Sequence, residues 1–153
     1  MTTGMIRLRE LTVRYAVKTG VDGAPVGIDR VVSTPRECAA VLRALLEDEP
    51  AEVFAILCLT TKHRVIAYHE VSRGTLDTTL VHPPEVFKAA LLANAAAIIL
   101  AHNHPSGDPT PSGDDFALTR RLQHAGNLVG IEILDHVVVG DRRYVSFKEI
   151  GRL

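Results

Sequence analysis

The chain has 153 residues, of which 46% are hydrophobic and 23% are charged, so it is long enough to bury one sizeable core. Its formal net charge of −1 argues against a strong phosphate-binding surface, since nucleic-acid-binding domains usually carry a basic excess. We expect a cytoplasmic protein without a membrane segment, because no stretch has the length and apolar character of a signal peptide or membrane span. Cys38 and Cys58 lie in apolar segments and form no C-x-x-C pair, which predicts free, buried thiols.

The first third of the chain divides into an extension and the start of a domain. Apolar and charged residues alternate over much of residues 5–17, which predicts a half-exposed strand. The glycine, aspartate and proline residues of 19–33 predict a loop. We therefore expect a strand and loop extension over residues 1–33 and a separate domain over residues 34–153.

Helices and strands then alternate to the end of the chain. Thr34, Pro35 and Glu37 match an N-cap, a first-turn proline and a capping-box glutamate, so a helix should begin there. The apolar patterns predict a mixed β-sheet flanked by helices, an α/β fold. The expected helices cover 34–48, 83–95 and a segment from Ser112 onward, and the expected strands cover 52–60, 63–72, 96–101, 131–139 and 143–147.

Two histidines follow the buried strand that ends near Ala101. In an extended chain, residues i and i+2 point to the same side, and Pro105 keeps His104 out of the helical region. Both imidazoles, those of His102 and His104, should therefore project together. A catalytic zinc site uses three protein ligands and leaves a position open, and Asp115 completes such a set.

Ser112 and Asp115 also match a second pattern, because S-x-x-D at the start of an amphipathic helix is a capping motif. The two interpretations are compatible. A serine hydroxyl can accept a backbone N–H bond and still donate its own hydrogen to an oxygen atom in an active site.

A hydrolytic metal site also needs a group that accepts a proton from water. The candidate is Glu70, because strict alternation along its strand puts it on one face with Ile66, Tyr68 and Ser72. Three other carboxylates are alternative candidates for this proton acceptor, namely Glu85, Asp77 and Asp114.

The combined pattern of Glu70, His102-x-His104, Ser112 and Asp115 resembles the JAMM motif of MPN+ metalloproteases. The flanking sequences, "HEVSRGTLDTTLVHPPEVFKAALLANAAAIILAHNHPSGDPTPSGDD" and "LDHVVVGDRRYVSF", resemble the bacterial RadC-like JAB domains in particular. The likeness covers roughly residues 35–153.

This resemblance implies a three-layer fold similar to that of the cytidine deaminases, and one zinc ion per chain held by His102, His104 and Asp115. It implies that Glu70 is the general base and that Ser112 donates a hydrogen bond to the oxyanion. The reaction it implies is hydrolysis of a peptide or isopeptide bond in a peptide or a protein conjugate. The RadC branch also carries a DNA-repair association.

Two other functions remain as alternatives at this stage. A DNA-repair factor that binds nucleic acid would not need peptidase activity, and a non-enzymatic interaction domain would not need the complete ligand set. The remaining histidines are interpreted as non-ligands, with His136 either packed in the core or placed beside the ligands. These non-ligands are His63, His69, His82 and His124.

Overall fold

The computed structural model describes residues 9–19, 22–23, 30–74 and 81–153. Within these ranges the chain forms three helices and five strands, which confirms the predicted α/β fold with a mixed sheet. The helices are α1 (Pro35–Leu46), α2 (Pro83–Leu92) and α3 (Gly113–Val129). The strands are β1 (Glu52–Leu59), β2 (Val65–Gly74), β3 (Ala97–Asn103), β4 (Glu132–Val139) and β5 (Tyr144–Ser146).

The five strands form one sheet in the order β2-β1-β3-β4-β5. Strand β1 pairs antiparallel with both β2 and β3, whereas β3 and β4 run parallel and α3 connects them. Strand β5 returns antiparallel to β4. The carboxyl ends of β3 and β4 therefore meet at one edge of the sheet, and α3 begins after the loop that leaves this edge.

Both faces of the sheet are covered, so the domain has three layers. On one face, α1 packs its apolar side mainly against β4 and β3, with Leu42 and Leu46 fully buried. On the other face, α2 and α3 enclose a second core that includes Leu100 and Leu122. All residues of β3 are buried, as expected for a central strand without a solvent-facing side.

Two capping boxes define where α1 and α3 begin. Thr34 caps α1, because its Oγ1 accepts the backbone N–H of Glu37 while the Glu37 carboxylate accepts the N–H of Thr34. Ser112 and Asp115 form the same reciprocal pair at α3. Both sequence-predicted helix starts are confirmed.

The strand predicted over residues 5–17 is not present in its described part. Residues 9–17 have irregular backbone and exposed side chains, with Leu11 exposed by 77% and Val17 by 74%. Alternation alone does not make a strand, because a strand also needs a hydrogen-bonded neighbour and a core against one face. Residues 5–8 lie outside the described residues, as does most of the loop predicted over 19–33.

Cys38 and Cys58 are free and buried, as predicted. Among the described residues, no helix combines the length and the apolar character needed to cross a bilayer.

Candidate metal centre

Strand β3 and helix α3 bring two imidazoles and one carboxylate together. His102 lies near the end of β3, His104 follows the strand directly, and Asp115 lies in the first turn of α3. The rings of the two histidines are 4.8 Å apart between centroids, so they project to the same side. Among the described residues, these three form the group of potential ligands that could hold a metal ion.

The spacing of the three ligand atoms fits one small cation. The Nε2 atoms of His102 and His104 are 2.9 Å apart, and each lies 3.4 Å from Oδ2 of Asp115. Zinc in a tetrahedral site lies about 2.0–2.1 Å from nitrogen and oxygen ligands, which separates neighbouring ligand atoms by about 3.3 Å. Two neutral imidazoles and one carboxylate are also a donor set that zinc accepts.

The electrostatics of the group favour a charged carboxylate beside the imidazoles. Burial favours the protonated form of Asp115, but the His102 and His104 imidazoles beside its carboxylate outweigh burial and hold its pKa well below the usual range. The neighbouring Asp115 carboxylate also raises the pKa of His104. His102 and Asp115 are buried, and His104 reaches solvent with part of its ring. The three side chains therefore lie at the carboxyl end of β3. They are largely buried, and solvent reaches them on the side of His104.

The loop after β3 holds His104 in place through backbone contacts. The His104 N–H donates to the carbonyl of Val139 at the end of β4, over 2.9 Å. Its Nδ1 lies 2.8 Å from the carbonyl oxygen of Asp108. Since a carbonyl can only accept, Nδ1 carries the proton and Nε2 presents a lone pair to the candidate site.

A glycine in the β4–β5 turn allows this loop to pack closely. A Cβ atom at Gly140 would lie 2.4 Å from the carbonyl oxygen of Gly107 and 2.8 Å from Cδ of Pro109. The Asp141 N–H also donates to the Gly107 carbonyl over 2.8 Å. The turn and the loop thus fix each other, and the position of His104 depends on both.

His136 is both buried in the core and placed beside the ligand His102, so the structure combines the two positions that the sequence left open for it. Its Nε2 lies 2.7 Å from Nδ1 of His102, and its Nδ1 lies 2.6 Å from Oγ1 of Thr119. The Thr119 hydroxyl also donates to the backbone carbonyl of Asp115 over 2.7 Å. Burial lowers the pKa of His136 well below its usual value, which favours the neutral ring. No sequence pattern identified Thr119, because its bond to His136 depends on the packing of α3 against β4.

A second residue missed from the sequence is Asn103, between the two histidines. Its side chain accepts the N–H of Val53 over 2.7 Å and donates to the carbonyl of Ala51 over 3.0 Å. It therefore joins the end of β3 to the segment that enters β1. Alternation predicts its orientation away from the two histidines, but no sequence pattern identified its partners.

Ser112 has the capping geometry described above. Its Oγ accepts the N–H of Asp115 over 3.1 Å, and its own N–H donates to Oδ2 of Asp115 over 2.8 Å. The residue is exposed. The cap therefore orients the Asp115 carboxylate, and the hydroxyl hydrogen of Ser112 is not used in the cap.

The structure does not bring Glu70 to this group. Along β1, Phe54 pairs with His102 of β3 and Ser72 of β2, whereas Ala55 pairs with Glu70. Ala55 packs into the core on the α1 side, so Glu70 faces α1. The expected placement of Glu70 on the face of Ser72 is wrong because a β-bulge inserts an extra residue into β2 at this point and reverses the alternation.

The Glu70 carboxylate instead belongs to an ion-pair cluster. Arg73 binds Glu70 and also Glu49, the latter with a distance of 2.6 Å from Nη1 to Oε2. Of the competing carboxylates, Glu85 and Asp114 are exposed in the first turns of α2 and α3, and Asp77 lies outside the described residues.

The fold and the site define a class of protein: a three-layer α/β domain with a candidate His-His-Asp metal centre at the carboxyl edge of its sheet. Residues 32–152 match the family described as the RadC-like JAB domain. The chain belongs to this family, which confirms the resemblance seen in its motifs.

Curated relatives agree with this assignment. A UPF0758 protein of Moorella thermoacetica is 50% identical over 147 residues, which are 95% of this chain and 63% of the relative. One of Pelobacter propionicus is 48% identical over 151 residues, covering 98% of this chain and 66% of the relative. One of Desulfitobacterium hafniense is 47% identical over 123 residues, which are 80% of this chain and 54% of the relative. The chain thus spans between about half and two thirds of the length of these relatives.

Proposed function

We propose that this domain is a zinc-dependent metallohydrolase that cleaves peptide or isopeptide bonds. The observation that carries the proposal is the spacing of the His102, His104 and Asp115 ligand atoms, between 2.9 and 3.4 Å, on a site that reaches solvent. Membership of the RadC-like JAB domain family supports the same reaction class.

A zinc ion held by His102, His104 and Asp115 would supply Lewis acidity that activates water near neutral pH. The chain's own residues prepare the site for such an ion. The Asp108 carbonyl holds the His104 ring with its Nε2 lone pair facing inward, and the α3 capping box holds the Asp115 carboxylate toward the two imidazoles. Preorganised ligands lower the cost of arranging the site when the ion binds.

Ser112 is the proposed donor to the oxyanion that develops on the substrate carbonyl. Its oxygen accepts the Asp115 N–H, which leaves the hydroxyl hydrogen available for an oxygen atom next to the metal site. A donor of this kind is worth about 3 kcal/mol of the activation barrier. Glu70 has no part in the proposal, because its carboxylate faces α1 and binds Arg73.

The test is a cleavage screen with the zinc-loaded protein over fluorogenic peptides and ubiquitin-like conjugates. We expect cleavage of at least one substrate, loss of cleavage in Asp115→Ala and after chelation, and unchanged cleavage in the neighbouring exposed variant Asp114→Ala. Ser112→Ala should keep zinc and lose about 100-fold in kcat. Failure of the zinc-loaded protein to cleave any substrate, or equal cleavage by Asp115→Ala, would overturn the proposal.

A further inference from the structure

We infer that His136 and Thr119 are positioning residues that hold His102 in the tautomer that presents Nε2 to a metal ion. The inference rests on the proposed function, because it assigns these two residues a task toward the ion held by His102, His104 and Asp115. Neither residue belongs to the group of ligands, but each contacts a ligand residue. Each acts through its hydrogen bonds.

The two ring nitrogens of His102 face different surroundings. Nε2 lies beside His104 and Asp115, whereas Nδ1 lies 2.7 Å from Nε2 of His136. A metal ion can bind only a nitrogen that carries a lone pair, so Nε2 must be unprotonated and Nδ1 must carry the hydrogen. In that tautomer, Nδ1 of His102 donates to Nε2 of His136.

The backbone carbonyl of Asp115 determines which atoms donate in the hydrogen bonds of Thr119 and His136. The backbone carbonyl of Asp115 can only accept, and it takes the hydroxyl hydrogen of Thr119 over 2.7 Å. The Thr119 oxygen is then an acceptor for Nδ1–H of His136, 2.6 Å away. With its hydrogen on Nδ1, His136 offers a lone pair at Nε2, and this lone pair accepts from Nδ1 of His102.

Reversing this direction would block the site. If the Thr119 hydroxyl donated to His136 instead, His136 would donate to His102, and the hydrogen of His102 would lie on Nε2, where the ion must bind. The Asp115 carbonyl would also lose the hydroxyl hydrogen bond. The chain of bonds therefore joins β3, β4 and α3 and selects one tautomer of His102.

Packing keeps the His136 ring in the required orientation. The ring is fully buried, lies nearly parallel to the Phe147 ring at a centroid distance of 4.5 Å, and meets the Phe54 ring edge-on at 5.8 Å. A buried imidazole needs partners for both nitrogens, and here both have one. Groups that bond to metal-ligating histidines typically change metal affinity by about 10–100-fold when they are removed.

The test compares Thr119→Val, which removes the hydroxyl at similar volume, with Thr119→Ser, which keeps it. Zinc affinity is measured by competition with a chromogenic chelator, and thermal unfolding of the metal-free proteins reports folding. We expect zinc affinity to fall by about 10–100-fold in Thr119→Val and to stay within about threefold of the parent in Thr119→Ser. Equal affinities of the two variants, with zinc binding by the parent intact, would overturn the inference and leave the proposed function standing.

A second measurement avoids the metal and any variant that fails to fold. Long-range 1H–15N spectra of the metal-free parent protein distinguish the two neutral tautomers of each histidine. We expect His102 with its hydrogen on Nδ1, and a His102 that carries its hydrogen on Nε2 would overturn the inference. Absence of zinc binding by the parent protein is a different result, because it contradicts the proposed function itself.

Discussion

Glu70 and His102 extend from opposite faces of the sheet, although both pair with neighbouring positions of β1. Phe54 is the partner of His102, and the next residue, Ala55, is the partner of Glu70. Successive residues of a strand point to opposite faces, so the Glu70 carboxylate is separated from the metal ligands by the sheet itself.

Glu70→Gln should therefore keep both zinc affinity and turnover within about threefold of the parent protein. A general base typically contributes about 10²–10⁴-fold to the rate, so loss of a true base would be unmistakable. Stability should fall by no more than about 1 kcal/mol, because the ion pair with Arg73 is partly exposed. Steady-state kinetics on the zinc-loaded variant checks this, and a loss of 100-fold or more with zinc still bound would contradict the described geometry.

Asn103→Ala should destabilise the domain by about 1–3 kcal/mol. The substitution leaves the buried N–H of Val53 without its acceptor and removes the donor to the Ala51 carbonyl. Urea unfolding of the metal-free protein measures the change. Asn127→Ala on the exposed side of α3 is the control and should stay within about 0.5 kcal/mol of the parent protein. Equal stability of the two variants would show that the Asn103 bonds are not needed.

Gly140→Ala should weaken zinc binding by tenfold or more. The new methyl group would collide with the Gly107 carbonyl and Pro109, so the loop that positions His104 must move. Gly113→Ala is the matched control, because a Cβ atom there has no neighbour within 4 Å. Zinc titration compares the affinities of the two variants, and circular dichroism verifies that both are folded. Tight zinc binding by a folded Gly140→Ala variant would contradict the dependence of the site on this loop.

Both thiols should be unreactive in the folded protein. Burial raises the pKa of Cys38 to about 12, with a further contribution from the charge of Asp135, and burial raises the pKa of Cys58 to about 11. Labelling with a thiol reagent at pH 8 should be negligible in native protein and should reach both cysteines in denaturant. Rapid native labelling of either cysteine would contradict its burial.

The raised pKa values of the two thiols also determine how the free energy of unfolding changes with pH. Below the ordinary thiol value of 9.0 the thiols are protonated in both folded and unfolded chains, so they add no pH dependence. Between pH 9 and about 11 mainly the unfolded chain ionises, and the contribution of these two groups to the free energy of unfolding decreases. Cys38→Ala and Cys58→Ala variants should lose part of this alkaline destabilisation.

Local signals in the sequence predicted most of the fold. The capping boxes at Thr34 and Ser112 are reciprocal contacts between residues three apart, so they can be read without tertiary information. The pairing of His102 with His104 followed from strand alternation and from Pro105, which are also local effects.

The errors arise where a neighbouring strand or a distant partner decides the outcome. The face on which Glu70 lies depends on a bulge in the register with β1, and a bulge leaves no reliable mark in a single strand's pattern. The contact of Thr119 with His136 spans two elements, and it forms only because β4 lies beside β3 in the sheet.

Metal analysis of the purified protein, after zinc loading and removal of excess ion, shows whether His102, His104 and Asp115 hold one metal ion. We expect one zinc per chain in the parent protein and in Asp114→Ala, and none in a folded Asp115→Ala variant. A parent protein that retains no zinc, or an Asp115→Ala variant that retains as much as the parent, would contradict this assignment of the ligands.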